Sequence, residues 1–250
     1  MLTEATVCAH GFSIRKRALL RDFTGCREIR HVARGDKVPP GAHLLLWGAA
    51  AAPVGVPPDV RIVRVEDGFL RSVGLGADLI RPVSWVLDDQ GIYFDARRPS
   101  ALEALLQAGG FGAEELSRAA ALRQRIVAAG LTKYNLSAAP WRPSEEHPQV
   151  VLVPGQVETD ASMALGTVDI RTNLGLLQAV RRARPDAWIV YKPHPDVVAG
   201  LRSRGQAEYE ALRHCNEVVW TGAMHQMLEQ VHEVHVLTSL AGFEALLRGK

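Results

Sequence analysis

Two short stretches decide the fold: VVLVPGQVETDAS at residues 150–162 and WIVYKPHP at residues 188–195. Each opens on an apolar run of four residues, which is typical of a strand that is buried on both faces of a sheet. Between the two stretches, residues 172–184 follow a helical pattern. A strand, a helix and a second strand in this order predict two parallel strands joined by a right-handed crossover.

Polar side chains follow the end of each predicted strand. Asp160 comes after the first strand, and Lys192 and His194 come at the end of the second. Because groups just past the carboxyl ends of adjacent parallel strands converge on one crevice, we expect these three side chains to meet across a pocket. A carboxylate, a cation and an imidazole at the mouth of one pocket predict a site for an anionic ligand.

The same alternation of strands and helices continues on both sides of this unit. In the second half, the predicted strands are 217–220 and 233–237, and the predicted helices lie near 205–214, at 224–231 and at 241–248. In the first half, the predicted strands are 6–10, 43–47, 61–65, 84–87 and 92–94, and the predicted helices are 14–23 and 116–129. The strands 84–87 and 92–94 are interpreted as a hairpin. The sequence therefore predicts an α/β protein.

The amino-acid composition argues against several other classes of protein. With 47% hydrophobic and 22% charged residues, the 250-residue chain has the make-up of an ordinary globular protein, and a net charge of +2 is too small to suggest nucleic-acid binding. Three cysteines without C-x-x-C spacing indicate buried, reduced thiols rather than disulfides or a zinc site. The sequence has no membrane span or signal peptide, so we expect a cytoplasmic protein, which still allows a membrane-bound acceptor.

Acidic residues at two strand ends leave alternatives open. EDGFLRS at 66–72 places Glu66 or Asp67 either in a cleft as a catalytic base or at a helix N-terminus capped by Ser72, and the residues alone favour neither. Asp88-Asp89 precedes Gln90-Gly91, so a turn is a better interpretation than a metal-binding pair.

The segment 238–244 opens the last predicted helix with hydroxyls and small residues. Ser239 and Thr238 either cap this helix or help its free N–H groups to bind a phosphate, and Glu244 is placed to hold ribose hydroxyls. Taken alone, the two interpretations are equal. Alongside Lys192 and His194, the phosphate interpretation is the better one.

A linker rich in proline, serine and charge, residues 138–148, is the predicted domain boundary. It divides the chain into residues 1–140, a Rossmann-like acceptor domain, and residues 149–250, a Rossmann-like donor domain. Two such domains with a cleft between them describe the GT-B architecture. The chain contains no G-x-G-x-x-G or P-loop motif, which argues against dinucleotide binding and P-loop hydrolysis.

Five segments together resemble the bacterial capsule polysaccharide β-Kdo transferases, the KpsC-like proteins. These segments are EDGFLRS (66–72), LDDQGIYFD (87–95), Q-x-x-x-D-x-S (156–162), KPHP (192–195) and HVLTSLAGFE (235–244). The resemblance runs from about Gly11 to the C-terminus and is closer to the second than to the first of two tandem copies that members often carry. It implies a retaining GT-B enzyme that transfers Kdo from CMP-β-Kdo to a Kdo-bearing glycolipid, during synthesis of the linker that anchors capsule.

The resemblance also implies roles for the site residues. Asp160 would be the nucleophile that attacks the anomeric carbon, and His194 with Lys192 beside it would neutralise the donor phosphate. Glu66 would be the base that activates the acceptor, with Asp67 the second choice. The residues expected to bind the donor are Lys192, Gln156, Ser162, Ser239, Ala241, Gly242 and Glu244. The residues expected near the acceptor are Asp67, Arg71 and Ser72.

The implied partners are CMP-Kdo, a lipid-linked Kdo acceptor at the inner membrane and a partner Kdo transferase of capsule assembly, with no cofactor or metal. Family members continue beyond Lys250 into another strand, so we expect a C-terminally truncated donor domain with lowered stability and little or no transferase activity. Two alternatives stay open: a fragment that binds CMP without turnover, and a transferase for another CMP-sugar, such as a sialyltransferase.

Overall fold

A computed structural model describes residues 5–75, 80–136, 140–143 and 147–250. Contacts divide the chain into two compact units. The first unit comprises Met1–Gly68 and Val83–Gly109, and the second comprises Phe69–Pro82 and Gly110–Lys250. This partition groups residues 110–136 with the second unit, whereas the predicted boundary lies at the linker. Residues 138, 139 and 144–146 of that linker lie outside the described residues.

The first unit contains a mostly parallel five-stranded sheet. Its elements are β1 (Val7–His10), α1 (Ile14–Thr24), β2 (Arg30–His31), β3 (His43–Trp47), β4 (Arg61–Asp67), β5 (Trp85–Asp88) and α2 (Ala101–Ala108). The strand order is β2-β1-β3-β4-β5, and β5 alone runs antiparallel to its neighbour. Leu45 and Leu44 on β3 face opposite sides of the sheet and belong to separate buried clusters, as expected for a strand covered on both faces.

The predicted hairpin with residues 92–94 is wrong. β5 pairs with β4 instead, and residues 93–94 form a turn. The Asp88 carboxylate explains the difference, since it accepts hydrogen bonds from the backbone N–H groups of Gln90, Gly91 and Ala101. These bonds close the turn and lead the chain to α2. The predicted turn at this position is therefore confirmed.

The second unit is built around a four-stranded, fully parallel sheet of order β8-β7-β6-β9. Its elements are α3 (Ala113–Ala128), β6 (Val150–Pro154), α4 (Ala161–Gly166), α5 (Asn173–Ala183), β7 (Trp188–Lys192), α6 (Pro195–Val198), α7 (Ala207–Glu210), a 3-10 turn (Ala211–Arg213), β8 (Glu217–Val218), α8 (Met224–Gln230), β9 (Glu233–Val234) and α9 (Leu240–Leu247). The parallel pairing of β6 with β7 confirms the prediction from the two deciding stretches.

The apolar runs of β6 and β7 are buried on both faces. Val151 and Val153 pack with Leu177 of α5 on one face, while Leu152 packs with Met227 of α8 on the other. This double burial explains why the runs are continuous rather than alternating. The predicted helix at 205–214 is shorter in the structure, and the strands predicted at 217–220 and 233–237 keep only their first two residues.

Two further observations concern the chain as a whole. All three cysteines are buried thiols, as predicted. Within the described ranges, no helix is both long enough and apolar enough to cross a bilayer.

Candidate functional site

The carboxyl ends of β6 and β7 are held together by a close approach at Gly155. Its N–H donates to the carbonyl of Lys192 at 2.8 Å, and a Cβ at this position would lie 2.5 Å from the Tyr191 hydroxyl. That hydroxyl donates a 2.5 Å hydrogen bond to Glu208. Gly155 therefore lets the two strand ends and α7 meet, and it lies at the start of the segment that carries Asp160.

Asp160 lies at the N-cap of α4 and is exposed. Its Oδ1 accepts from the backbone N–H of Ser162 at 2.9 Å and from the Ser162 hydroxyl at 3.0 Å. Capping by Asp is favourable because the first N–H groups of a helix have no intrahelical acceptor. Ser162, predicted to bind the donor, thus orients the Asp160 carboxylate.

His194 caps the short helix after β7, α6, and is half-buried. Its Nδ1 accepts from the backbone N–H of Asp196 at 3.1 Å. Burial lowers the pKa of His194 from 6.5 to about 4, with Lys133, Lys192 and Arg202 acting in the same direction and Asp160 against them. The imidazole is therefore neutral at pH 7, and because Nδ1 is an acceptor, its proton is on Nε2.

Lys192 is the last residue of β7 and is only 7% exposed. Burial lowers the pKa of its ammonium group, because removal from water disfavours the charged form. Lys192 and Asp160 both lie close enough to His194 for their charges to act on its ring. Asp160 and His194 thus cap the first helices after β6 and β7, and Lys192 ends β7, while their convergence on one pocket stays a prediction.

The segment after β9 is tied to the segment after β6. Gln156 donates from Nε2 to the Thr238 hydroxyl at 2.8 Å, and its Oε1 accepts from the Thr238 N–H at 2.9 Å. The backbone of Gln156 exchanges two further hydrogen bonds with the side chain of Asn173. Gln156 therefore joins three segments, and the structure gives it a positioning role beside its predicted role in donor binding.

α9 begins close to this junction. Ser239 is its N-cap and accepts from the Ala241 N–H at 3.3 Å. A Cβ at Gly242 would lie 2.7 Å from Val236 Cγ2, so the glycine allows the helix to pack against its own approach segment. The capping interpretation of Ser239 is confirmed, and the phosphate interpretation stays a prediction.

Glu244, predicted to bind ribose, is 6% exposed and accepts a 2.7 Å hydrogen bond from the backbone N–H of Lys133. Burial raises the pKa of its carboxyl group from 4.5 to about 7, although this hydrogen bond, Arg248 and Lys133 all act to lower it. Arg248 spans the same junction, since it donates to the carbonyls of Glu244 and Leu131. Glu244 thus anchors the loop before the linker to α9.

Arg71 and Ser72 are buried and fix the segment that follows Gly68. The guanidinium of Arg71 donates to the Ser72 hydroxyl at 2.9 Å, and the backbone N–H groups of both residues donate to the carbonyl of Lys133. Residues 69–75, all described, form no helix, so the helix-capping interpretation of Ser72 is wrong. The chain pairs with Lys133–Tyr134 instead.

Glu66 and Asp67 are the last two residues of β4, in the first unit. Glu66 Oε1 accepts from the Asp67 N–H at 2.9 Å, and its Oε2 lies 2.9 Å from where a Cβ of Gly48 would be. The glycine therefore makes room for the carboxylate at the end of β3. Since successive strand residues alternate between faces, Glu66 and Asp67 face opposite sides of the sheet.

The sequence did not point to Lys133 and Tyr134. The Tyr134 ring meets the His194 ring edge-on, with centroids 6.3 Å apart, and the Lys133 ammonium lies 5.2 Å from the Tyr134 ring centroid. The available signal was the short polar run TKYN at 132–135, in which Asn135 has a positive φ of 50° and bonds Thr132 in both directions. Residues other than glycine that are held at a positive φ are often found at functional sites.

The acidic residues of the turn after β5 do not form a pair. Asp88 binds backbone N–H groups, while Asp89 pairs with Arg61, whose hydrogen bond lowers the pKa of the Asp89 carboxyl group. Among the described residues, His, Cys, Asp and Glu side chains form no group of three or more that could hold a metal ion.

Two α/β units, each built on a mainly parallel sheet, define a GT-B-like protein whose second unit carries polar side chains after β6 and β7. The model of the family described as "Capsule polysaccharide biosynthesis protein" matches the chain in two overlapping segments, residues 48–138 and 112–250. The chain belongs to this family.

Solved structures with the same fold include two transferases of Thermosulfurimonas dismutans. The KpsC beta Kdo 2,7 transferase is 34% identical with a TM-score of 0.77, and the match covers 98% of this chain and 76% of that one. The KpsC beta Kdo 2,4 transferase is 29% identical with a TM-score of 0.78, and the match covers 98% and 78%.

Curated relatives are considerably longer than this chain. The capsule polysaccharide modification protein LipA of Neisseria meningitidis serogroup B is 39% identical over 251 aligned positions, and the match covers 96% of this chain and 36% of LipA. The lipopolysaccharide-processing protein LpsZ of Rhizobium meliloti is 38% identical over 216 aligned positions, and the match covers 82% of this chain and 49% of LpsZ. The chain thus spans about a third to a half of the length of these relatives.

Proposed function

We propose that this protein is a retaining glycosyltransferase that moves Kdo from CMP-β-Kdo to a Kdo-bearing glycolipid in capsule linker synthesis. The observation that carries the proposal is an oriented carboxylate, Asp160, after β6, together with a half-buried neutral imidazole, His194, and a buried cation, Lys192, at the end of β7. Membership of the capsule family and similarity to two Kdo transferases support the choice of reaction and of sugar.

Asp160 acts as the nucleophile in the first of two displacements. Both hydrogen bonds from Ser162 use Oδ1, so Oδ2 is the oxygen that we expect to attack the anomeric carbon. A bond then forms between Oδ2 and that carbon, while the bond to the phosphate oxygen breaks and CMP departs with the electron pair. Because two displacements restore the original configuration, the product retains the anomeric geometry of the donor.

Charge on the departing CMP is balanced by the groups at the end of β7. The neutral His194 donates a hydrogen bond from Nε2 to the phosphate, which differs from the charge neutralisation expected from the sequence. Lys192 supplies the positive charge, and its buried position strengthens the interaction. The N-terminus of α9, with Ser239, Ala241 and Gly242, binds the nucleotide phosphate or sugar from the other side.

Glu66 serves as the base in the second displacement. It takes the proton of the acceptor hydroxyl as that oxygen attacks the Asp160-linked sugar, which frees the carboxylate and completes transfer. Asp67 is the second choice of base, and Glu244 contacts the ribose through the oxygen that does not bind Lys133. Arg71 and Ser72 support the site through their contacts with Lys133 rather than through direct contact with the acceptor.

The lipid-linked acceptor places the reaction at the cytoplasmic face of the inner membrane, where a partner Kdo transferase would supply or extend the same glycolipid. No metal is required, since Lys192, His194 and the helix terminus balance one phosphodiester. A transferase for another CMP-sugar acid is one alternative. A protein that only binds CMP is the remaining alternative.

Measuring CMP release separates these functions. The chain is incubated with a Kdo-bearing glycolipid and either CMP-Kdo or CMP-sialic acid, and CMP and glycolipid products are quantified by mass spectrometry. We expect CMP release and a Kdo-extended glycolipid from CMP-Kdo alone. Turnover of CMP-sialic acid instead would change the donor, and CMP binding without release from either donor would identify a non-catalytic module.

A further inference from the structure

The loop between β6 and α4, which carries Asp160, is bound by a buried side chain to which the proposed reaction assigns no role. Asn173 is the first residue of α5 and is 3% exposed. Its Oδ1 accepts from the backbone N–H of Gln156 at 2.9 Å, and its Nδ2 donates to the carbonyl of Gln156 at 2.8 Å. The side chain of Asn173 therefore pairs with both backbone polar groups of one loop residue.

This pairing accounts for the choice of asparagine. An amide group carries a donor and an acceptor side by side, so it can bind the N–H and the carbonyl of one residue as a neighbouring strand would. An ionised aspartate has no donor, and an apolar side chain has neither group. Since Gln156 is buried, loss of this partner would deprive its backbone N–H and carbonyl of these hydrogen bonds at a cost in free energy.

A second contact joins the same loop to α5. Glu158 Oε1 accepts from the backbone N–H of Asn173 at 2.7 Å. This N–H lies in the first turn of α5, where the backbone donors have no acceptor within the helix, and a carboxylate is favourable there. The loop is thus bound to the N-terminus of α5 at two of its residues, Gln156 and Glu158.

α5 is a fixed reference for the position of this loop, because the helix is packed on the sheet. Its Leu177 is fully buried against Val151 and Val153 of β6. The hydrogen bonds from Ser162 to Asp160, by contrast, lie within α4 and its N-cap, so they orient the carboxylate without fixing where α4 lies. The contacts of the loop with α5 supply that constraint.

We propose that Asn173 and Glu158 are positioning residues, which hold Asp160 where its free oxygen can attack the anomeric carbon. This inference rests on the proposed function and adds two residues to it. A displacement of about 1 Å from the attacking geometry can lower a rate about a hundredfold. The groups proposed to balance the phosphate of CMP lie at the end of β7 and after β9, on other segments of the chain. Loss of the contacts should therefore slow the reaction at Asp160 more than it lowers the affinity for CMP.

Four variants separate positioning from stability. Asn173→Ala removes both bonds of the side chain to Gln156 and keeps the N–H that binds Glu158. Glu158→Ala removes the second contact, and Glu158→Gln keeps an amide oxygen as acceptor in its place. Asn216→Ala is the matched control, since Asn216 Oδ1 accepts from the Ile189 N–H at 2.9 Å near the amino end of β7. The control thus removes an asparagine that binds a strand backbone away from the carboxyl ends of the strands.

The experiment mixes each variant with CMP-Kdo without acceptor and follows CMP release and the Kdo adduct in a single turnover by rapid quenching and mass spectrometry. We expect the rate of both to fall about tenfold or more in Asn173→Ala, and less in Glu158→Ala. Glu158→Gln should recover most of that loss, and Asn216→Ala should keep the parent rate even if its melting temperature falls. The affinity for CMP, measured by calorimetry, should change by less than about threefold in all variants.

Other outcomes contradict defined statements. An unchanged rate in Asn173→Ala, an equal loss in Asn216→Ala, or a loss of CMP affinity as large as the loss of rate would overturn the positioning role and leave the proposed function intact. If thermal melts show that Asn173→Ala is unfolded, the Glu158 variants decide, and equal rates in Glu158→Ala and the parent would overturn the inference. No CMP release by the parent protein would contradict the proposed function, and the inference with it.

Discussion

Asp160 combines two roles that usually belong to different residues. It caps α4, and it presents a carboxylate whose orientation is fixed by Ser162. An N-cap position suits a nucleophilic carboxylate, because the contacts with Ser162 that cap the helix also orient the other carboxylate oxygen.

Asp160→Asn separates the two roles, since Asn is as good a cap as Asp but is not a nucleophile at this centre. We expect the melting temperature and the affinity for CMP to stay close to those of the parent, while kcat for transfer falls by at least about a thousandfold. Ser162→Ala is the matched variant, because it removes one of the two orienting bonds and should reduce kcat less. Full transfer by Asp160→Asn would rule out this residue as the nucleophile.

The raised pKa of Glu244 predicts that the free energy of unfolding depends on pH. Its pKa is raised from 4.5 to about 7 in the folded protein, so the folded state binds the proton more tightly than the unfolded state. The stabilisation is fully present below about pH 4.5 and is lost as the pH rises through about 7. Over this window the loss amounts to at most about 3 kcal/mol.

Glu244→Gln should remove this loss while keeping an acceptor for the Lys133 N–H. Urea unfolding at several pH values between 4 and 8 measures the free energy of unfolding of both proteins. Both keep His194, whose lowered pKa acts in the opposite direction, so its contribution cancels in the difference. A difference between parent and variant that stays constant across this range would contradict the raised pKa of Glu244.

At the scale of elements, the junction of β6 and β7 decides the geometry of the site. Gly155 has no positive φ, so the reason for glycine is space: a Cβ would lie 2.5 Å from the Tyr191 hydroxyl and 3.0 Å from its Cζ. An alanine must therefore displace Tyr191, Glu208 or the strand end itself.

We expect Gly155→Ala to lower the free energy of unfolding by about 1–3 kcal/mol, as overpacking in a core does. In a Tyr191→Phe background, which lacks the hydroxyl, the same substitution should cost at least about 1 kcal/mol less. A double-mutant cycle by urea unfolding measures this coupling. If the two costs add to within about 0.5 kcal/mol, the contact does not account for Gly155.

Local patterns predicted the elements whose signals lie within a few residues. The runs of β6 and β7 and the helical period of α5 are signals of this kind, and these elements form where expected. α2 was missed although Ser100 and Glu103 form a normal N-terminal signal. β9 is shorter than the strand predicted at 233–237, because only Glu233 and Val234 pair with β6.

Only part of the site could be predicted from the sequence, because sequence signals are local. Asp160, Lys192 and His194 follow strand ends, and topology alone brings such residues together. The bonds that complete the site join residues far apart in the chain: Lys133 and Glu244 are 111 positions apart, and Gln156 and Thr238 are 82 apart. No spacing rule in a single sequence predicts contacts of that range.

At the scale of the whole molecule, the proposed function requires that protein groups alone balance the negative charge on the phosphate of CMP. Lys192, His194 and the N-terminus of α9 supply this balance in the proposed site. We expect the affinity for CMP to be unchanged by EDTA and to fall about tenfold or more in His194→Ala, because a buried hydrogen bond to the phosphate is lost.

Calorimetric titration with CMP tests this expectation. His31→Ala, an exposed imidazole on β2, is the control and should bind CMP like the parent. Loss of CMP binding on chelation would show that a metal ion takes part, and equal binding by His194→Ala would remove His194 from the phosphate site.

The central claim is that sugar transfer passes through a covalent bond to Asp160. Intact-protein mass spectrometry after mixing the chain with CMP-Kdo, without acceptor, tests it most directly, followed by peptide mapping of any adduct. We expect a mass increase of one Kdo residue on the peptide that contains Asp160. This adduct should be absent in Asp160→Asn and should disappear when the glycolipid acceptor is added. Transfer to the acceptor with no adduct at any time, or an adduct located on another residue, would contradict it.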